Sequence, residues 1–240
     1  MDIKRNTNTV LILLILLSMQ TVASEKTGSE PWKTIFNGKD FKGWSIIGSF
    51  GKAWVEDSTI VTHMVSNTPE HTFVRTNKKY KDFILEADCK LEGNIHSGFI
   101  LRSVEAPDTA SVCIYGYQVK LDPNERRWSG GIFDDFGKTY SWWYTLADDA
   151  RARAAFKLRE WNHFRMEAIG NNLKVWVNGI PTCNLINSKY KKGHIALKIH
   201  SLGNNPEREK ALVHFKNIRI ISKSPEKYAR EMDILPKAID

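Results

Sequence analysis

The sequence predicts an all-β sandwich, and three observations carry that expectation. Ten short runs alternate apolar and polar side chains, turn-forming Gly, Asn, Asp and Pro separate them at short intervals, and one stretch alone has a convincing helical composition. In chain order the runs are KAWVED (52–57), STIVTHMV (58–65), HTFVRT (71–76), FILEADCKL (83–91) and SGFILRS (97–103). They continue with SVCIYGYQVKLD (111–122), HFRMEAIG (163–170), NLKVWVNG (172–179), GHIALKIHS (193–201) and ALVHFKNIRII (211–221). Gly170-Asn171-Asn172 and Asn178-Gly179 predict tight hairpin turns, the second because both central positions accept positive φ. The helical stretch is TLADDARARAAFK (145–157), with Thr145 as N-cap, acids in the first turn and alanines after them. A second short helix is expected at 225–232. No internal repeat is present.

The ends and the charge bound the setting. Lys4 and Arg5 precede the apolar run VLILLILL (10–17), and small residues TVAS (21–24) follow. This is the pattern of a secretory signal peptide cut after Ala23 or Ser24, and its apolar run is too short to anchor in a bilayer. The expected organisation is a signal at 1–23, a flexible lead-in at 24–31, one domain at 32–222 and a C-terminal tail at 223–240. The mature chain is expected to be periplasmic or secreted, without a membrane anchor. The formal net charge of +8 is scattered rather than gathered in a basic stripe, which argues against a nucleic-acid partner. Cys89, Cys113 and Cys183 are an odd set and predict no disulfide framework; their spacing resembles no zinc site. Cys89 shares its face with Leu85, Ala87 and Leu91 and is expected in the core.

Strand parity then points to a candidate site. In GYQVKLD, Tyr117, Val119 and Leu121 can fill an interior while Gln118, Lys120 and Asp122 face the other way. A solvated strand face gives the same pattern. Applied to SGFILRS and GHIALKIHS, parity groups Arg102 with Ile100 and Gly98, and His200 with Lys198 and Ala196. If these strands are neighbours in a curved sheet, Arg102, Gln118, Lys120, Asp122, Lys198 and His200 converge on one concave surface. Donors, a carboxylate and an imidazole together suit a polyhydroxylated ligand. Of the eight tryptophans, Trp44, Trp54, Trp161 and Trp176 are expected in the core. Trp128, Trp142 and Trp143 lie in loop-rich segments beside the polar strand, and of the adjacent pair only one can point inward. His163 reads as structural. Of His63, His71, His96 and His194, His96 is the best candidate because it enters the strand of Arg102.

The ordered set FNGKDFKGW, WVEDSTIV, YKDFILEADCKL, HSGFILRS, GYQVKLDP, WSGGIFDDFG, EWNHFRMEAIGNNLKVWVNGIP, GHIALKIHS and FKNIRI resembles the 3-keto-disaccharide hydrolase domain family over about residues 32–221. The resemblance implies a concanavalin-like or laminin-G-like jelly roll, with the short helix inserted. It also implies action on glycosides already oxidised at C3, and hence coupling to a sugar 3-oxidoreductase. A C3 ketone acidifies the C2 hydrogen; a base removes it, the C1 substituent leaves from the enolate, and water adds. The implied roles are His200 as base near neutral pKa, Lys120 or Arg102 at the enolate oxygen, and Gln118 and Asp122 as orienting groups. Asp134 and Asp135 are alternatives for protonating the leaving group. Lys198, His96, Trp128, Trp142 and Trp143 are candidate substrate contacts. Relatives often read GYEVQ where this chain has GYQVK, Asn where it has His96, and Gln where it has Lys198; two extra cations would favour an anionic sugar or pair with Asp122. No cofactor or metal is implied. A non-catalytic sugar-binding module is the competing reading, since the fold serves both purposes. A two-carboxylate glycosidase is less supported, because no strand carries a suitable pair of acids.

Overall fold

The computed structural model describes residues 31–67, 70–105, 114–134, 141–202, 205 and 208–239. The described strands are β1 (Lys33–Thr34), β2 (Trp44–Ile47), β3 (Lys52–Glu56), β4 (Thr59–His63), β5 (Thr72–Thr76), β6 (Phe83–Glu92), β7 (Ser97–Glu105) and β8 (Ile114–Leu121). Then come β9 (Ile132–Asp134), β10 (Ser141–Tyr144), helix α1 (Ala150–Ala155), β11 (Asn162–Ile169), β12 (Asn172–Val177), β13 (Ile180–Ile186), β14 (His194–Ile199), β15 (Leu212–Ile221) and β16 (Lys237–Ala238). They form two sheets: β16-β13-β12-β11-β6-β15-β4-β3, with β1 added on β15, and β10-β9-β8-β7-β14-β5-β2. The result is the expected jelly-roll sandwich.

Period-2 alternation builds the core. Val74, Leu197, Phe99, Tyr117 and Val119 of the smaller sheet meet Leu85, Met166, Val175 and Phe215 of the larger one, all buried. Phe99 bridges the two layers, with ring centroids 5.4 Å from Phe164 and 5.3 Å from Phe215. Each such side chain contributes about 1.5–3 kcal/mol by leaving water. Cys89 and Cys183 are buried and free; Cys113 lies outside the described residues.

Several expectations need correction. α1 begins later than predicted: Leu146 is buried, the turn closed by Asp149 N–H on Leu146 O (3.2 Å) delays the helix, and the Asp149 carboxylate caps it through Ala152 N–H (2.8 Å). The strand β13 is not among the predicted runs because Pro181 interrupts it. The ladder tolerates that proline at the register shift between Val175 and Trp176, where β13 has no partner on its other side. Trp44 is in the core as expected; Trp176 is buried but alternates with the inward Val175 and Val177 and so lies outside the inter-sheet core, while Trp54 (36% exposed) and Trp161 (39%) are exposed. Trp54 shares parity with Lys52 and Glu56, so Ala53 and Val55 take the inward places. The 225–232 helix is a single 3-10 turn, Pro225–Tyr228. The segment after it docks on the larger sheet: Asn184 donates to Ile234 O (2.6 Å), Asn187 to Ile239 O (2.7 Å), and β16 pairs parallel with β13.

Candidate functional site

The site follows from strand direction. β8, β7, β14 and β5 are consecutive antiparallel neighbours, so the end of β8, the start of β7, the end of β14 and the start of β5 lie at the same end of the sheet. The residue just outside each ladder is Asp122, His96, His200 and His71 respectively. The registers Leu121↔Ser97, Ser97↔Ile199 and Ile199↔Thr72 put these four side chains in one row. The distances agree: His96 Nδ1 is 3.5 Å from Asp122 Oδ1, and the His200 ring centroid is 5.9 Å from His96 and 4.5 Å from His71.

One residue pair further in, Lys120, Gly98 and Lys198 form the next row on the same outer face. Lys120 is 4% exposed and Lys198 1%. Gln118 lies across Gly98, donating to Ser97 O (3.2 Å) and taking Lys198 Nζ at 3.5 Å on its carbonyl oxygen. A side chain at position 98 would collide with it, since a Cβ there would stand 2.5 Å from Val119 O and 3.0 Å from Gln118. The partly buried imidazoles therefore sit towards solvent and the ammonium groups beneath them.

An aromatic wall flanks the rows. Phe133 and Trp142 are paired across β9 and β10, with centroids 5.2 Å apart, and Trp128 meets Trp142 edge-on at 5.1 Å. Lys120 Nζ rests 4.6 Å from the Phe133 centroid. Arg126 lies against Trp128 (5.2 Å) and Trp142 (5.1 Å) and donates through Nε to Asp122 Oδ2 at 2.5 Å.

Burial and cations keep the imidazoles neutral. Burial first, then Lys198, pushes His200 down to about 3. His96 falls to about 4 through burial and Lys120, against the opposing pull of Asp122. His71 is held well below its ordinary value by burial and then Lys198. Tautomers are fixed by the backbone. His200 Nδ1 is 2.5 Å from Ser201 O, a pure acceptor, so Nδ1 carries the hydrogen and Nε2 keeps its lone pair. Ser201 N–H donates to His71 Nδ1 at 2.9 Å, so the His71 hydrogen is on Nε2.

The structure thus brings together His200, Lys120, Lys198, Gln118, Asp122, His96, Trp128 and Trp142. Three predicted residues turn elsewhere. Arg102 has φ +52° at the register shift between Leu101 and Val104, which removes it from the parity of Gly98 and Ile100. Its guanidinium is a buried staple, donating to Lys81 O (2.6 Å), Gly170 O (2.8 Å), Tyr190 O (3.2 Å) and Asp82 Oδ1 (3.0 Å). Asp134 faces away from its neighbour Phe133 and binds Lys189 Nζ at 2.8 Å. Trp143 packs on Tyr117 (5.6 Å) and Tyr190 (6.4 Å) at the core margin. Asp135 lies outside the described residues. His200 also departs from the expected base near neutral pKa: burial and then Lys198 lower it to about 3, which makes it a neutral, weaker acceptor. His71 is the residue that sequence reasoning undervalued: its signal was its place at a strand boundary, like every other member of the row. Among the described residues no group of three His, Cys, Asp or Glu side chains is arranged to hold a metal ion.

Residues 31–221 match the domain family described as 3-keto-alpha-glucoside-1,2-lyase-like. The chain matches no curated protein. Among solved structures, a candidate glycosyl hydrolase from Parabacteroides distasonis superposes with TM-score 0.55 at 20% identity, over 80% of this chain and 94% of that one. A Bacillus subtilis protein of unknown function with a galectin-like fold gives 0.53 at 13% identity, over 80% and 94%. A Bacillus licheniformis β-glucanase gives 0.52 at 12% identity, over 82% and 100%. These likenesses carry the fold.

Proposed function

The chain belongs to the 3-keto-alpha-glucoside-1,2-lyase-like domain family, so its role is carbohydrate-related, and from that premise we propose an exported enzyme that cleaves 3-keto-glycosides by elimination and hydration. The observation that carries this reading is the row Asp122, His96, His200 and His71 above Lys120 and Lys198. His200 Nε2 takes the C2 proton. The C–H electron pair forms the C2=C3 enolate, whose oxygen gains negative charge near the Lys120 ammonium. As C3=O re-forms, the C1–O bond breaks, a C1=C2 double bond appears, and the proton on His200 passes to the departing oxygen. Water then adds, hydroxyl to C1 and hydrogen to C2, for a net hydrolysis.

Gln118 and Asp122 orient the polar groups, Asp122 being itself held by Arg126. The wall of Phe133, Trp142 and Trp128 offers apolar ring faces to the C–H face of a sugar. The substrate requires a preceding oxidation at C3, hence an oxidoreductase acting before this enzyme. Export through the N-terminal signal would place both in the periplasm or outside the cell; the mass of the mature protein from the producing cell checks the cut after Ala23 or Ser24.

The reading is tested by incubating purified protein with a 3-keto-glucoside and with its unoxidised parent. Cleavage of the keto sugar alone is expected. Binding without cleavage would instead identify a sugar-binding module.

A further inference from the structure

The geometry points to His71 as a second donor at the enolate oxygen: a neutral imidazole whose Nε2–H meets O3 while His200 Nε2 removes the C2 proton. This rests on the reaction proposed above. The two rings are fixed as a complementary pair by one residue. The Ser201 carbonyl accepts from His200 Nδ1 (2.5 Å), and the Ser201 N–H donates to His71 Nδ1 (2.9 Å). One ring is left with a lone pair at Nε2 and the other with a hydrogen there. The rings are 4.5 Å apart and tilted by 56°, and the ladder pair Ile199↔Thr72 holds the strands that carry them.

Enolisation of a 3-keto sugar asks for that combination. An acceptor must reach the hydrogen on C2, and a donor must reach the oxygen on the adjacent carbon. A neutral imidazole suits the second task, because it strengthens its hydrogen bond as charge develops and does not hold a surplus proton. Burial and the neighbouring Lys198 keep His71 in that neutral form. No proton leaves His71 in the step: His200 carries the C2 proton, and the charge on O3 is shared between Lys120 and the His71 N–H until C1–O cleavage discharges it.

The test separates enolisation from bond cleavage. In D2O, 3-keto-1,5-anhydroglucitol carries no aglycone on C1, only the ring oxygen, so loss of its C2 proton signal with the ring intact reports proton abstraction alone. Wild-type protein is expected to catalyse this exchange, and His200→Gln to slow it by about 10²–10⁴-fold. His71→Phe, or His71→Ala where the larger ring is not accommodated, should slow exchange by about 10²–10³-fold, chiefly in kcat, as for loss of one oxyanion donor. His71→Gln keeps an N–H donor and should recover part of the rate. A folded donor-less variant with wild-type exchange, or equal loss in the Gln and donor-less variants, would overturn the role of His71. That failure leaves the reaction itself standing, whereas a wild-type protein that neither exchanges this probe nor cleaves 3-keto-glycosides removes both.

Discussion

Lys120 and Lys198 stand in one row of the smaller sheet with only Gly98 between them, two ammonium groups sealed below three imidazoles. Burial first, and then these like charges, make a further positive charge unfavourable, so the histidines above them stay neutral where free histidine would protonate.

Acid should therefore weaken the fold early. His200, with its folded pKa near 3 against 6.5 for the ordinary residue, binds a proton more readily when unfolded. Its contribution is complete above about 6.5 and is lost as pH falls from there towards 3. His163 has the opposite sign. Hydrogen-bonded to Asp88, it is raised to about 9 and stabilises below 6.5, losing that as pH rises through 9. Urea unfolding at pH 7, 5 and 4 should show decreasing stability, and His200→Gln should flatten the slope.

The rate should tolerate acid better than an ordinary histidine enzyme. With His200 neutral down to about 3 and His96 to about 4, the acid limb of kcat/KM is expected near pH 3–4 in folded protein. An acid limb near 6.5 would show that burial and the lysines do not hold the imidazoles neutral.

His200→Ala should cost about 10²–10⁴-fold in kcat with little change in the unfolding midpoint, since the ring is at the solvent side of the row. Wild-type turnover in this variant would assign the base elsewhere.

Arg102 should matter to stability and not to chemistry. Arg102→Met takes the donor from three backbone carbonyls and one of two from Asp82 Oδ1, which keeps the Gly170 N–H (2.9 Å), and is expected to destabilise by about 3 kcal/mol. Activity per folded molecule should be unchanged, measured at a temperature where the variant is fully folded.

Phe99→Ala should cost about 3–5 kcal/mol by opening a cavity between the sheets. Trp54→Ala, on the outer face, should cost far less. Denaturant titration of the two distinguishes inward from outward parity directly.

Much of this was legible in the sequence, for a physical reason. Alternation assigns a face to each side chain within a strand, so Gln118, Lys120, Lys198 and the inward Tyr117, Val119 and Leu121 needed no coordinates. What alternation cannot carry is a break in the ladder. Arg102 lies at a register shift and so left the group that parity gave it, and Pro181 hid β13 for the same kind of reason. Strand order is also beyond a single strand's pattern. His71 joins His200 only because β5 and β14 are neighbours across more than a hundred residues of chain.

The central claim is elimination through a C2 carbanion, and one measurement addresses it. Purified protein is incubated with 3-keto-trehalose in D2O, and the released 3-keto-glucose is examined for deuterium at C2 against an enzyme-free control. Enzyme-dependent deuterium at C2 is predicted, with no cleavage of trehalose itself. Release of 3-keto-glucose that retains its original C2 hydrogen would contradict the account and indicate direct displacement at C1.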